Sequence, residues 1–265
     1  MKKEILIVLS VVLVVVIVAC GLWLGYYAVD SQHQKQTYET LAKDFLLEEP
    51  KSSLSLEDNS SGESSAAGET MATLTTVPPR HDLAALQAEN SDCVGWLTIP
   101  DTTVDYPVVW TPADPEHYLR RDFYGNSASG GTPFLDGRNQ ARAEGQNLIL
   151  YGHNMLDGTM FKPVLQYLTP NFRQTHQDIY LELNGAQYHY QVIAALETST
   201  RSPMYVYTDL SGAAEMEDFR AMLLEETGLD AIPQAEGYLT LSTCNNQGGN
   251  SRVLVIAVLV EEVST

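Results

Sequence analysis

The sequence predicts a mainly β domain with peripheral helices, preceded by one helix that crosses a membrane. Ile5–Val29 holds 25 residues without a charge, enough for a helix to cross a hydrocarbon layer of about 30 Å. Tyr238–Thr243 and Val253–Val260 are apolar, rich in aromatic and β-branched residues and too short to span a membrane, which is typical of strands. The dipeptide Asn184-Gly185 is typical of a two-residue hairpin turn.

The apolar N-terminal segment is predicted to be an uncleaved anchor. Lys2 and Lys3 precede it, so the positive-inside tendency places residues 1–4 in the cytoplasm and the chain after Asp30 outside. A cleaved signal peptide and a lipoprotein signal ending at Cys20 are the alternatives. The apolar run continues nine residues past Cys20, and together with the part before it this exceeds the roughly 7–15 apolar residues of a signal peptide.

Residues 30–80 are predicted to form an extracellular spacer and linker. Three apolar residues recur there at helical spacing: Tyr38, Leu41 and Phe45. They predict a short amphipathic helix above the membrane, for which a plain spacer is the alternative. Glu48–Thr76 is rich in Ser, Glu, Thr and Gly, too poor in apolar residues to pack, and is predicted to be a disordered linker. His81–Glu89 is predicted to be a helix that opens the domain of residues 81–265.

The composition limits the partners of this domain. Lys2, Lys3 and Glu4 together contribute +1 to the whole-chain charge of −19, which leaves −20 outside the membrane. This charge argues against nucleic acid and anionic lipid as ligands. The three cysteines share no motif, so neither a disulfide framework nor a cysteine-rich metal site is predicted. Cys93 is expected to be a buried small hydrophobic residue.

The last two predicted strands present a candidate site. The seven residues between Cys244 and Arg252 are Asn, Gln, Gly and Ser, which form turns readily, so the strands are predicted to pair as a hairpin with Cys244 facing Arg252. A thiolate is a nucleophile for acyl transfer, and a nearby cation lowers the pKa of a thiol. The guanidinium can also stabilise an oxyanion. The alternatives are that Cys244 is an inert core thiol and that Arg252 is a surface charge. However, Arg252 opens a wholly apolar strand, where its charge needs an anionic partner.

His153 is the predicted proton carrier of this site. It lies 91 residues before Cys244, where the apolar strand Leu148–Tyr151 ends in Gly152, and strand ends often present functional groups. The alternative is a plain turn residue. The other five histidines lack this setting and are expected to be structural: His33, His81, His117, His176 and His189.

Between these residues the sequence predicts a hairpin of Ile179–Leu183 and Gln187–Leu196, then a long connection over Thr198–Glu236. Met216–Glu226 within this connection carries apolar residues at helical spacing and is predicted to be a helix. A long connection bearing a helix therefore precedes the strand that ends at Cys244.

These motifs together resemble the sortases, the cysteine transpeptidases of Gram-positive cell surfaces, and specifically class B. The resemblance covers roughly residues 82–260. The matching runs are NSDCVGWLTIPDTTVDYPVV, HYLRRDFYG, GGTPFLDGRN, NLILYGHNMLDGTMF, LTLSTC and SRVLV. The sequence departs from the class at Asn245 and Asn246, where many members carry an acidic residue.

The resemblance implies a closed, mostly antiparallel β-barrel and a catalytic set of His153, Cys244 and Arg252. Cys244 would attack a Thr–X bond in the C-terminal sorting pentapeptide of a secreted protein. His153 would protonate the leaving amine, and Arg252 would steady the oxyanion. An amine of the peptidoglycan cross-bridge would then resolve the acyl-enzyme, without metal or cofactor. The resemblance to class B does not distinguish wall anchoring from pilus assembly. A pilin lysine is therefore the alternative amine for resolving the acyl-enzyme.

The resemblance also implies where a substrate binds. In the family the long connection before the Cys strand helps to cover the sorting signal, and Tyr205 and Val206 match its substrate-facing pair. Ser242 and Thr243 lie beside the nucleophile and are further candidates, with ordinary strand residues as the alternative.

Two other function classes fit the sequence less well. An L,D-transpeptidase also uses Cys and His at the wall, but its nucleophile sits in a Ser-x-Gly-Cys-x-x-Arg-like run that STCNNQ does not match. A non-catalytic adhesin on a stalk would explain the anchor and linker but not a Cys facing an Arg.

Overall fold

The structure, a computed structural model, describes residues 2–47, 77–78, 80–245 and 249–263. The predicted linker Glu48–Thr76 lies outside these residues. The described helices are α1 (Lys2–Asp44), α2 (Leu83–Glu89), α3 (Pro170–Thr175) and α4 (Ala213–Thr227), with short 3-10 helices at His117–Arg120, Lys162–Leu168 and Pro203–Tyr205. The strands are β1 (Cys93–Thr98), β2 (Asp105–Val109), β3 (Phe134–Leu135), β4 (Asn147–Tyr151), β5 (Asp178–Leu183), β6 (Ala186–Ser199), β7 (Tyr238–Cys244) and β8 (Ser251–Val263).

The eight strands close into one barrel in the order β1-β2-β3-β4-β7-β8-β6-β5. Most neighbouring strands are antiparallel, while the β2–β3 and β4–β7 pairs are parallel. The prediction of a closed, mostly antiparallel barrel with peripheral helices is therefore confirmed. Closure leaves no free sheet edge, and the core contains apolar side chains such as Leu97 and Leu181, which are in register on β1 and β5 and fully buried.

Both predicted hairpins form. Asn184 and Gly185 adopt φ of 51° and 86° between β5 and β6, as a two-residue turn with two left-handed positions requires. In the second hairpin β7 pairs antiparallel with β8, and Cys244 lies directly opposite Arg252. The predicted helix at Met216–Glu226 is the central part of α4. This helix buries Phe219 and Leu223 against the outer face of the barrel, in a cluster with Tyr238 and Leu254.

The N-terminal helix differs from the sequence expectation. α1 runs without a break from Lys2 to Asp44, so the predicted amphipathic helix is the continuation of the apolar helix. Tyr38 and Leu41 are 2% and 1% exposed, and the Tyr38 hydroxyl donates to the Gly131 carbonyl at 2.7 Å. The segment therefore packs on the barrel and does not stand off from it as a spacer. Its apolar part has a mean hydropathy of 3.4 and is not buried in the protein, so by length and composition α1 can cross a membrane.

His81 does not lie in a helix as the sequence predicts. α2 begins at Leu83, and the Asp82 side chain caps it by accepting from the Ala85 amide at 2.9 Å. His81 precedes this cap and is buried. Its Nδ1 lies 2.7 Å from a Glu182 carboxylate oxygen, and its ring stacks on Trp96. A local pattern cannot reveal this position, because both partners are distant in sequence.

Candidate active site

The parallel pairing of β4 with β7 brings two of the predicted residues to one end of the barrel. Tyr151, the last residue of β4, is in register with Ser242 on β7. The chain then continues from each strand in the same direction, to His153 after β4 and to Cys244 at the end of β7. The Thr243 hydroxyl donates to the Gly152 carbonyl at 2.8 Å, which ties the two strand ends together.

The turn that carries His153 depends on a glycine. A Cβ at Gly152 would lie 2.5 Å from the Phe161 ring, closer than two carbon atoms can approach without a shift. The amide of Phe161 also donates to the His153 carbonyl at 2.8 Å. The bare backbone of Gly152 therefore allows the Phe161 ring to pack under the turn and hold His153 in place.

Arg252 faces Cys244 across the hairpin. Its Nη1 donates to the carbonyls of Ser251 and Gly249, at 2.9 and 3.2 Å. Among the residues that the structure describes, no carboxylate forms an ion pair with Arg252. The anionic partner expected for its guanidinium is therefore not supplied by the described part of the chain, and the positive charge lies beside the thiol.

A cavity of about 410 Å³ joins these groups. Six of the seven predicted site residues line it: His153, Tyr205, Ser242, Thr243, Cys244 and Arg252. The seventh, Val206, does not line it and is 70% exposed. The remaining lining residues are Pro115, Glu116, Leu119, Phe134, Asp136, Gly137, Tyr151, Gly152 and Thr200.

The His153 ring is oriented by the main chain. Its Nε2 lies 2.8 Å from the carbonyl oxygen of Leu119, and because a carbonyl only accepts, Nε2 must donate. The lone pair of the neutral ring is then on Nδ1. Burial lowers the pKa of His153, and the nearby charges of Arg120 and Arg252 lower it further, against the opposing effect of the Leu119 hydrogen bond. The resting ring is therefore biased towards the neutral form, with the lone pair of Nδ1 free to accept a proton.

Two asparagines hold the Cys244 end of β7. The Asn154 side-chain amide donates to the Cys244 carbonyl at 2.9 Å, so the residue after His153 also supports the cysteine backbone. Asn245 donates to a carboxylate oxygen of Glu197 at 3.2 Å, which anchors the start of the loop on β6. Asn246, the other position that departs from the class B pattern, lies outside the described residues.

A row of aromatic and polar side chains forms one wall of the cavity. The hydroxyls of Tyr205 and Ser242 lie 2.8 Å apart, and the Tyr205 ring stacks on Tyr151 with 6.2 Å between centroids. The Tyr151 hydroxyl donates to Asp136 at 2.8 Å. Burial raises the pKa of Asp136, but hydrogen bonds from Arg138 and Tyr151 outweigh it and hold the pKa below its usual value. The wall therefore carries an ionised carboxylate whose charge is already balanced.

Sequence reasoning missed four groups that shape this site. They are the Leu119 carbonyl and the side chains of Asn154, Asp136 and Tyr151. Each lies within a run that carries the family resemblance: HYLRRDFYG, GGTPFLDGRN or NLILYGHNM. These runs could have indicated the neighbourhood of the site. They could not indicate which atom of each run faces the cavity, because that depends on contacts between strands that are distant in sequence.

The other two thiols are not part of the cavity. Cys93 is 1% exposed, which confirms the prediction of a buried small hydrophobic residue, and burial raises its pKa to about 12. Cys20 is exposed on α1. No three His, Cys, Asp or Glu side chains in the described ranges are grouped closely enough to hold a metal ion.

Comparisons with known proteins agree on one family. The sequence model of the Sortase domain matches residues 97–260. Sortase B of Listeria monocytogenes is 33% identical over 171 residues, which cover 63% of this chain and 69% of that protein. Sortase B of Staphylococcus aureus is 25% identical over 268 residues, 98% of each chain.

Solved structures agree with the sequence relatives. The Staphylococcus aureus sortase B–substrate complex is 29% identical with a TM-score of 0.61, covering 69% of this chain and 85% of that one. A sortase B complexed with triglycine is 28% identical with a TM-score of 0.60, covering 68% and 86%. The barrel, the cavity that holds a thiol beside an imidazole and a guanidinium, and these likenesses together lead to one conclusion. This chain belongs to the sortase family, as a cysteine transpeptidase of class B.

Proposed function

We propose that Cys244, His153 and Arg252 are the catalytic residues of this transpeptidase. The observation that carries the proposal is their convergence on one cavity, with Cys244 paired to Arg252 across the hairpin and His153 at the end of the neighbouring parallel strand. The Cys244 thiolate attacks the carbonyl carbon of a peptide bond and forms a thioester, and the peptide nitrogen leaves with a proton.

His153 supplies that proton from Nδ1, since Nε2 is engaged with Leu119. An amide nitrogen is a poor leaving group without protonation, so this step depends on the imidazolium form. The buried setting that lowers the pKa of His153 also makes the imidazolium a stronger acid. In the second half-reaction the neutral ring takes a proton from the incoming amine, which then attacks the thioester.

Arg252 stabilises the oxyanion of each tetrahedral intermediate. Its Nη1 already donates to the carbonyls of Ser251 and Gly249, which fixes the plane of the guanidinium before substrate arrives. Preorganised donors of this kind are worth roughly 3 kcal/mol of transition-state stabilisation when one is removed. The developing negative charge is the anionic partner that Arg252 lacks among the described residues.

The substrate of this reaction is the C-terminal sorting signal of a secreted protein, cleaved at a Thr–X bond. Tyr205, Ser242 and Thr243 are proposed to contact it along the cavity wall, and the exposed Val206 at its rim. The acceptor is an amine of the peptidoglycan cross-bridge. A sortase B–substrate complex and a sortase B complexed with triglycine are among the similar structures, and they support a peptide and a small amine as the two ligand classes.

The enzyme acts at the outer face of the cell membrane. Residues 5–29 of α1 are proposed to cross the membrane, with residues 1–4 in the cytoplasm and the catalytic domain of residues 81–265 facing the cell wall. Lys2 and Lys3 at the start of α1 support this orientation. The whole-chain charge of −19 supports a peptide and amine substrate over a nucleic acid.

The test uses the full-length protein in detergent with a library of fluorogenic pentapeptides, with and without triglycine. One group of peptides with a common Thr should be cleaved, and triglycine should divert the product from the hydrolysed acid to the triglycine adduct, as seen by mass spectrometry. Intact-mass analysis should also trap an acyl adduct on Cys244. Cleavage that never produces an adduct with the amine would refute the transfer reaction, and cleavage that shows no preference at the Thr position would refute the sorting signal.

A further inference from the structure

The face of α1 that packs on the barrel begins inside the apolar segment. Tyr27 is half-buried, and its side chain interacts with the backbone of Leu156 and Asp157. These two residues belong to the loop of residues 154–159, which follows His153 and is called the Leu156 loop below. The catalytic domain therefore approaches α1 before the charge-free stretch Ile5–Val29 has ended.

Polar contacts fix the helix against the domain at this level. The Asp30 carboxylate accepts from the Ser129 amide at 3.0 Å, and the side-chain oxygen Oε1 of Gln34 accepts from the Gly130 amide at 3.1 Å. One turn closer to the membrane than Gln34, the Ser31 hydroxyl donates to the Asp157 carboxylate. Contacts on two separate loops leave the helix little freedom to tilt away from the barrel.

This geometry sets the height of the Leu156 loop above the membrane. A helix rises 1.5 Å per residue, so Tyr27 lies only about 3 Å below the end of the charge-free stretch at Val29. Aromatic residues mark the membrane interface, and Trp23 stacks on Tyr27 with 6.0 Å between ring centroids. A loop that contacts Tyr27 must lie in that interfacial layer. Leu156 is 76% exposed there, although it is an apolar side chain.

The charged member of the loop is compatible with an interfacial position. Burial raises the pKa of Asp157, but hydrogen bonds from Ser31 and Thr159 outweigh it and leave the pKa below its usual value. The Thr159 hydroxyl and amide donate to the carboxylate at 2.7 and 3.0 Å. Since the charge is held by donors of α1 and of the loop itself, Leu156 is the side chain left to meet lipid.

We propose that the Leu156 loop is a membrane-contacting loop, in which Leu156 enters the outer lipid interface beside Tyr27. The proposal rests on α1 being the uncleaved anchor of the proposed function, and it does not depend on the catalytic roles. The contact is apolar and needs no anionic lipid, which agrees with the acidic character of the chain. His153 is three residues from Leu156, at most about 11 Å along the chain. The loop thus keeps His153 within about that distance of the lipid interface.

The test measures probe depth in phosphatidylcholine vesicles that hold the full-length protein. An environment-sensitive fluorophore is attached to Leu156→Cys in a protein that also carries Cys20→Ser and Cys244→Ala. Cys93 remains, but it is buried and should not react with the fluorophore. Leu224→Cys is the matched negative control, because Leu224 is an exposed leucine on α4, a helix that packs on β6 and the 203–205 turn. Native Cys20, labelled in a Cys244→Ala protein, is the positive control for the anchor.

We expect nitroxide lipids to quench the probes at positions 156 and 20 but not at 224, with a blue-shifted emission at 156. Quenching at 20 with an unquenched, unshifted probe at 156 would overturn the loop proposal while leaving the anchor intact. An unquenched probe at 20 would overturn the anchor and the loop proposal together. Neither outcome depends on peptide cleavage. This experiment therefore tests the anchor and the loop independently of the catalytic assignments.

Discussion

His153 donates a hydrogen bond from Nε2 to the main-chain carbonyl of Leu119, at 2.8 Å. The bond joins the turn that carries His153 to the 3-10 helix at His117–Arg120, whose Leu119 also lines the cavity. Because a carbonyl cannot be protonated or rotated away like a side chain, it selects one tautomer and one ring orientation. Nδ1 is therefore the nitrogen left free for the proton transfer that we propose for His153.

The pH dependence of stability should report the burial of His153. Its pKa in the folded protein is lowered by burial, below the value of about 6.5 for an unfolded chain. As the pH falls, the unfolded chain binds the proton first, so wild type should lose stability relative to His153→Gln. The difference between the two proteins is constant well above pH ~6.5, and wild type loses further stability relative to the variant as the pH falls towards the folded pKa. Denaturant unfolding of both proteins at several pH values measures it, and parallel curves would contradict the burial argument.

Cys244→Ala should abolish peptide cleavage and transfer together, because it removes the nucleophile. The fold should persist, since alanine is small and Cys244 is only half-buried. Circular dichroism checks the fold, and a fluorogenic peptide with and without triglycine checks the reaction. The control is Cys93→Ala, which should keep its cleavage rate and lose about 1 kcal/mol of stability. Appreciable cleavage by folded Cys244→Ala would rule out the assigned nucleophile.

Arg252→Lys should lower kcat by roughly 10²-fold or more, because lysine keeps the charge but loses the planar set of donors. Arg121→Lys is the matched control. Arg121 is exposed, donates to the Gly125 carbonyl and does not line the cavity, so its rate should equal that of wild type. Steady-state kinetics of both variants measure the difference. A wild-type kcat for Arg252→Lys would remove Arg252 from the oxyanion role and leave the nucleophile unaffected.

Thr243→Val should separate the positioning of His153 from general stability. The variant loses the bond to the Gly152 carbonyl and should lower the free energy of unfolding by about 1–3 kcal/mol, with a fall in kcat as the His153 turn loosens. Thr243→Ser keeps the hydroxyl and should retain most of the rate. Thr240→Val is the control on the same strand, because the Thr240 hydroxyl donates to the Asn147 side chain at 2.8 Å, away from the site. It should lose similar stability with an unchanged kcat, and equal rate losses in both valine variants would refute a specific role for Thr243.

Local patterns in the sequence predicted the strands β4 to β8, the Asn184-Gly185 turn and the candidate residues His153, Cys244 and Arg252, whereas β1 to β3 lie in runs that were identified only by the family resemblance. Asn184-Gly185 specifies a turn through its own backbone preferences, and alternating or continuous apolar runs specify strands through burial. The pairing of Cys244 with Arg252 could be predicted because a short loop leaves a hairpin as the simplest path for two adjacent strands. The order and setting of His153, Cys244 and Arg252 were enough to indicate the family.

Only the tertiary structure decided how distant parts of the chain meet. The parallel register of Tyr151 with Ser242 brings His153 towards Cys244, but nothing local to β4 specifies its partner strand. The packing of Tyr38 on the barrel likewise turns a predicted spacer into the rigid end of α1. Such contacts join residues that are tens of positions apart, and their free energy depends on burial and hydrogen bonding in the assembled barrel. The local composition of either partner does not contain that information.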